Sequence, residues 1–220
     1  ADLLLRDLIT TAGSPTSWSV VHPLAGQLLT KLFATVPRPD FVQAWLDPLI
    51  ETLTSDNVLA LDHLKSDLLP ILMRIDPGAF ASIAAALPDS APAALAATAI
   101  GARQAGMEIN EILSAADLSC LFQHRDLDIV SEAFAFVCTS SRKSALPTSN
   151  ECQLATDCLK RFRNVSRSAL RHKVDHHLQQ FLLRIRSGAQ RLRKSDPTIP
   201  ISPLSQTSIM LPDSIAVQYR

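Results

Sequence analysis

Glycine, aromatic residues and long apolar runs are all scarce in this chain of 220 residues. Six glycines are few for a nucleotide-binding α/β fold, because such folds place glycine in their phosphate-binding turns. No stretch approaches about 18 uninterrupted apolar residues, which argues against a membrane-spanning helix. Apolar residues nevertheless make up 47% of the chain and charged residues only 19%, so it is too apolar to be disordered. Ala and Leu dominate, and this composition favours an all-helical protein.

The chain also lacks the motifs that would point to an enzyme. It contains no G-x-S-x-G, no phosphate-binding P-loop and no G-x-G-x-x-G. His172 and His176 have the i, i+4 spacing of zinc ligands, but Asp175 points about 60° away from His172 and the neighbouring cations would repel a metal ion. We therefore predict no catalytic residues, no metal and no cofactor.

The four cysteines do not form a C-x-x-C pair. Cys120 and Cys138 lie in apolar stretches, where a reduced thiol packs like a small apolar side chain. This usage is typical of a reducing compartment and predicts a cytoplasmic protein without disulfides.

Apolar residues recur at helical spacing as far as residue 194, and no strand pattern interrupts them. The pattern predicts about ten helices. They include one helix over 58–75 with a kink at Pro70, one that begins at Pro23, and helices over 108–122, 125–139, 149–163 and 166–194. Pro39 and Pro92 fit the first turn of a helix, where the missing N–H is not needed.

Antiparallel helix pairs at roughly 40-residue spacing are typical of HEAT- or armadillo-like α-solenoids, which is the predicted architecture for 1–194. A globular helix bundle is the alternative. Four prolines among Ser and Thr predict an irregular, extended tail over 195–220. Because the chain starts inside a helical pattern and without Met, we expect it to be a piece of a longer solenoid.

The neutral total charge hides an asymmetry along the chain. Residues 1–156 hold nine Lys and Arg against 17 Asp and Glu, a net charge of −8. Residues 157–194 hold 11 Lys and Arg against two Asp, a net charge of +9. A short segment with this charge is a candidate contact surface for a polyanion such as RNA.

On a helix through 166–194, six apolar residues fall within about 80° and form a core stripe; they are Leu170, Val174, Leu178, Phe181, Ile185 and Leu192. Lys173, Arg184 and Arg191 project together on one flank of that stripe, and Arg186 and Arg193 lie on the other. These five cations are the candidate nucleic-acid contacts. The alternative is that the basic helix packs against the acidic helices before it.

Arg167 and Arg171 project near the apolar edge of the stripe. We expect both to be semi-buried and to hold backbone carbonyls or a carboxylate of a neighbouring helix.

Three strings within 125–194 carry a family resemblance. They are CTSSRK at 138–143, SRSALRHK at 166–173 and FLLRIRSGA at 181–189. A helix ending in C-x-S-x-R-K, followed by a long helix that opens on a small-residue/Arg motif and closes on L-x-R-I-R-S, resembles the region ahead of the signature domain in the THADA-type family. Arg167 and Arg171 would be structural arginines of this motif.

The resemblance implies a large α-solenoid that is not itself an enzyme. It further implies a regulatory subunit of a tRNA ribose 2′-O-methyltransferase that acts in the anticodon loop. The expected partners are the methyltransferase catalytic subunit and, through the basic helix, tRNA. An adaptor that binds only protein, with the basic helix docked internally, is the alternative.

Overall fold

The structure is a computed structural model, and it describes residues 2–12, 15–35, 38–55, 58–115, 117–139 and 146–195. Within these stretches every regular element is helical, which confirms the predicted all-helical class. The chain divides into two compact units, Ala1–Leu118 and Ser119–Arg220, a division that the sequence did not indicate. Across the described stretches, no helix combines the length and the apolar character that crossing a membrane requires.

In its described part, the first unit consists of α1 (Asp2–Ala12), α2 (Pro15–Thr35), α3 (Arg38–Leu53), α4 (Val58–His63), a π-helical segment (Leu64–Leu68), α5 (Leu69–Ile75), α6 (Ala79–Ala86), α7 (Pro92–Ala105) and α8 (Ile109–Ala115). Trp45, Phe80 and Leu69 are among its largest fully buried side chains. In the middle of α7, a Cβ on Gly101 would lie only 2.6 Å from the Cβ of Leu69. Glycine therefore lets α7 approach α5 closely.

The prolines of the first unit follow the sequence prediction only in part. Pro39 lies in the first turn of α3 and Pro92 is the first residue of α7, as predicted. Pro23 does not begin a helix, since it lies inside α2. A proline removes one helical hydrogen bond but does not prevent packing on either side of it, and Ala25, two residues later, is fully buried.

The predicted helix over 58–75 is a succession of α4, the π-helical segment and α5. The N–H of Leu69 donates to the carbonyl of Leu64, a wider turn than in an α-helix. This widening comes directly before Pro70, whose ring would clash with a carbonyl four residues back in a regular helix. Leu64, Leu68 and Leu72 are buried, as their stripe predicted.

In its described part, the second unit consists of α9 (Ser119–Gln123), α10 (Leu127–Cys138), α11 (Ser149–Phe162) and α12 (Ser168–Ser195). Helix α10 packs against each of α9, α11 and α12, and eight of its 12 residues are buried. The predicted helix over 108–122 is two helices, α8 and α9, and the boundary between the units falls between them. The predicted tail lies outside the described residues beyond Ser195.

Hydrogen bonds of polar side chains define where α10 and α11 begin. The carboxylate of Asp126 accepts from the N–H of Asp128 at 2.9 Å at the start of α10. At the start of α11, the hydroxyl of Thr148 accepts from the N–H of Glu151 at 3.2 Å, and the carboxylate of Glu151 accepts from the N–H of Thr148 at 2.7 Å. This reciprocal capping box fixes the carboxylate of Glu151 at the helix end.

Candidate functional site

Helix α12 is the basic segment that the sequence singled out. Four residues of the predicted core stripe, Leu170, Val174, Leu178 and Phe181, are buried. Ile185 is half-buried, and the side chain of Leu192 lies outside the described residues. The helix packs on α10. Over its 28 residues it carries seven Lys and Arg and a single acid, Asp175. The positions of these cations decide what the helix can bind.

Arg184 is not on the surface, in contrast to the sequence prediction. Its side chain is 7% exposed, and its guanidinium donates to both carboxylate oxygens of Glu151, at 2.9 and 3.1 Å. Glu151 is itself buried and is held by the capping box with Thr148. A two-point arginine–carboxylate pair of this kind ties α12 to the start of α11. It leaves Arg184 inaccessible to a nucleic acid.

Two further cationic residues are paired with acids of α10. Lys173, which is half-buried, donates to the carboxylate of Glu132. Arg167, at the start of α12, donates to the carboxylate of Asp128 at 2.9 Å. The prediction that Arg167 holds a carboxylate of a neighbouring helix agrees with this contact, although its side chain is 67% exposed rather than semi-buried. Arg171 is also exposed.

The cations that reach solvent are fewer than the formal charge of the segment suggests. Arg186 and Arg191 are exposed, while the side chain of Arg193 lies outside the described residues. Arg163 and Lys194, which are not among the predicted contacts, are exposed as well. Arg171 and Arg186 are 15 residues apart and therefore about 22 Å apart along the helix axis.

Two basic residues of α11 make local contacts. Arg161 donates to the carbonyls of Phe122 and His124, at 3.4 and 2.9 Å, and thereby holds the end of α9. Lys160 donates to Asp157 at 2.8 Å. The hydrogen bonds from Lys160 and Gln153 lower the pKa of the Asp157 carboxyl.

The buried cysteines of the second unit are poorly suited to nucleophilic chemistry. Burial raises the pKa of the Cys158 thiol to about 12 and raises the pKa of Cys138 well above its ordinary value. The pKa of Cys152 is raised as well, by partial burial and by the neighbouring Glu151 carboxylate. Since the thiolate is the reactive form, these three thiols remain protonated near neutral pH.

The histidines of α12 are not arranged as metal ligands. The rings of His176 and His177 lie edge to face at 5.6 Å, and Nε2 of His176 is 2.9 Å from the amide nitrogen of Gln180. Among the residues that the structure describes, no group of three or more His, Cys, Asp and Glu is placed to hold a metal ion.

A shallow depression lies along the side of α12 next to Arg186. Its volume is about 560 Å³, and the residues that line it include Gln179, Leu182, Leu183, Ile185 and Arg186. Leu183 is 57% exposed although it is a large apolar residue. The depression therefore combines an apolar floor with a cationic edge.

Comparison with known proteins places this arrangement in a family. The sequence profile of the family described as "Trm732, TPR repeats" matches residues 41–204, which are 164 of the 220 residues. The chain belongs to the Trm732 family. The match confirms the THADA-type resemblance drawn from 125–194, and TPR repeats, which are stacked helical hairpins, fit the predicted helical solenoid. No curated protein and no solved structure matches this Trm732-family chain.

Proposed function

We propose that this Trm732-family chain is a non-catalytic regulatory subunit that supports ribose 2′-O-methylation in the tRNA anticodon loop. In this role it binds the catalytic subunit of a tRNA methyltransferase in the cytoplasm. The observation that carries the proposal is the family match over 41–204. The buried, protonated thiols and the internally paired charges of the second unit fit a subunit whose partner carries the chemistry.

The exposed cations of α12 provide the candidate contact with tRNA. Arg171 and Arg186 project on one side of the helix, and Lys194 is a further exposed cation. Such residues would bind phosphates, which position an RNA without reading its sequence. Lys173 and Arg184 are set aside as direct contacts, because Glu132 and Glu151 already hold them.

A second candidate function is an adaptor that binds only protein. It is favoured by the same two ion pairs, because they use the charge of the basic helix to hold the second unit together. In that case the methyltransferase would supply all contacts with tRNA.

Both candidates can be separated with purified components. The assay measures methyl transfer into tRNA by the catalytic subunit, with and without this chain, and tRNA binding by gel shift. A double variant, Arg171→Glu with Arg186→Glu, removes two exposed cations of one helix side. The matched control, Arg6→Glu with Arg125→Glu, makes the same charge change at exposed positions outside α12.

We expect the chain to raise the methylation rate of the catalytic subunit and to show no turnover alone. Loss of the gel shift in the α12 variant, with the control unchanged, supports direct tRNA contact. Full activation by the α12 variant at a saturating concentration of the catalytic subunit, together with an unchanged gel shift, favours the adaptor. A chain that neither binds the catalytic subunit nor raises its rate would overturn the regulatory function.

A further inference from the structure

The depression on α12 centres on an exposed leucine that the core does not use. Leu183 follows Phe181 by two residues, and at 100° per residue the two side chains project about 160° apart. Phe181 is fully buried, so Leu183 points away from the interior of the second unit. In the described part of the chain, Leu24 is the other large apolar side chain with more than half of its surface exposed.

The apolar surface around Leu183 extends over two helical turns. Leu182 and Ile185 are half-buried, and together with Gln179 they line the depression over about 10 Å of the helix. A volume of about 560 Å³ is within the range of protein binding pockets. The lining residues Gln179, Leu182, Leu183 and Arg186 are spaced i, i+3, i+4 and i+7. This is the spacing of the anchor residues by which an amphipathic helix binds along another surface.

The charge around the depression indicates what kind of helix would bind there. Arg186 forms one edge, and Arg171 and Lys194 are further exposed cations of the same helix. Asp175 is the single acid of α12. A partner with Asp or Glu beside its apolar anchors would complement this surface, since opposite charges steer and orient association.

A protein segment fits this surface better than RNA does. RNA bases stack on aromatic rings or on arginine planes. None of the described residues that line the depression is aromatic. Leu182, Leu183 and Ile185 offer nothing to a phosphate. They do offer burial to apolar side chains, and burial of exposed apolar surface is the main source of binding free energy at protein interfaces.

We propose that the α12 depression is the docking surface for a short amphipathic, acidic helix of the methyltransferase catalytic subunit. Apolar side chains of that helix pack on Leu182 and Leu183, and one of its carboxylates pairs with Arg186. This inference rests on the proposed function and specifies the surface through which it operates.

The test measures the affinity of the purified catalytic subunit for the full chain by isothermal titration calorimetry, without tRNA. Leu183→Asp places a charge in the centre of the depression, and Arg186→Glu reverses its edge. Leu24→Asp is the matched control, because Leu24 is a comparably exposed leucine in α2. Circular dichroism and thermal unfolding of all variants check that the fold is retained.

We expect Leu183→Asp to weaken binding at least 30-fold and Arg186→Glu about tenfold, while Leu24→Asp binds like the unaltered chain. Unchanged affinity of Leu183→Asp overturns the docking surface and leaves the regulatory function standing. An equal loss in Leu24→Asp also overturns it, because the effect is then not specific to α12. A lost tRNA gel shift in Leu183→Asp, with the calorimetric affinity for the catalytic subunit unchanged, assigns the surface to RNA. No binding of the catalytic subunit by the unaltered chain refutes both proposals.

Discussion

At the scale of single residues, Glu151 has two roles in the second unit. Its carboxylate closes the capping box with the N–H of Thr148, and it also accepts both hydrogen bonds from Arg184. Both charges are buried, so each depends on the other for compensation of its lost hydration. The free energy of unfolding should therefore fall further when one partner of the pair is removed than when both are removed.

We predict that Glu151→Gln lowers the free energy of unfolding by about 3 kcal/mol, because Arg184 then stays buried without a countercharge. Gln is tolerated in a capping box, so the start of α11 is retained. The double variant Glu151→Gln with Arg184→Met should be more stable than Glu151→Gln alone, since no unpaired cation remains. Urea unfolding of the two single variants and the double variant measures this coupling.

The exposed pair Arg167–Asp128 provides the control for that cycle. Arg167→Met should cost at most about 1 kcal/mol, because solvent screens a pair whose side chains are 67% and 48% exposed. Equal losses for Arg167→Met and Arg184→Met would show that burial does not set the strength of these pairs.

The same residues show where sequence reasoning about the site ends. A helical projection places Arg184 at the edge of the core stripe, but Glu151 is 33 residues away and Glu132 is 41 residues from Lys173. Pairing over such distances depends on how helices pack, which periodicity does not encode. The exposure of Leu183, in contrast, was predictable from the sequence, because an apolar residue about 160° from Phe181 cannot belong to the same core stripe.

At the scale of secondary-structure elements, the contact between α5 and α7 depends on one glycine. Alanine in the middle of a helix is ordinarily about 1 kcal/mol more favourable than glycine. At Gly101 the added Cβ would lie 2.6 Å from the Cβ of Leu69, an atom that cannot move without its backbone. Steric overlap should therefore outweigh helix propensity at this position.

We predict that Gly101→Ala lowers the free energy of unfolding by about 1 to 3 kcal/mol. Gly26→Ala in α2 should raise it by about 0.5 to 1 kcal/mol, because its nearest neighbours, two carbons of Ile71, lie at 3.9 Å. If packing decides, thermal and urea unfolding will show a lower free energy of unfolding for Gly101→Ala and a higher one for Gly26→Ala. A stabilised Gly101→Ala variant would contradict the close contact.

The element pattern itself was largely predictable from the sequence. Apolar stripes gave the existence of the helices, and Pro39 and Pro92 indicated the first turns of α3 and α7. The π-helical segment and the break between α8 and α9 were not predictable. Pro70 did predict a distortion at this place, but periodicity does not specify that it takes the form of a widened turn from Leu64 to Leu69.

At the scale of the whole molecule, zero net charge coexists with a segment of +9. Long-range attraction to a polyanion is therefore weak, and binding must depend on the cations that are locally accessible. Internal pairs of Lys173, Arg184 and Arg167 reduce that number well below the formal count. The salt dependence of tRNA binding reports how many cations contact phosphates.

We predict a slope of about −3 for the logarithm of the tRNA association constant against the logarithm of salt concentration. This value corresponds to about four phosphate contacts, from the exposed residues Arg163, Arg171, Arg186 and Lys194, at roughly 0.7 to 0.9 counterions each. If all nine net charges of 157–194 contacted RNA, the slope would approach about −8. Filter binding over a series of KCl concentrations separates these values.

The double variant Arg171→Glu with Arg186→Glu should reduce the slope to about −1.5, because two of the four contacts are lost. Arg6→Glu should leave the slope unchanged, because that arginine lies outside the basic segment. A slope near −8 would mean that the ion pairs to Glu132 and Glu151 open when tRNA binds, and that α12 leaves its packed position to do so.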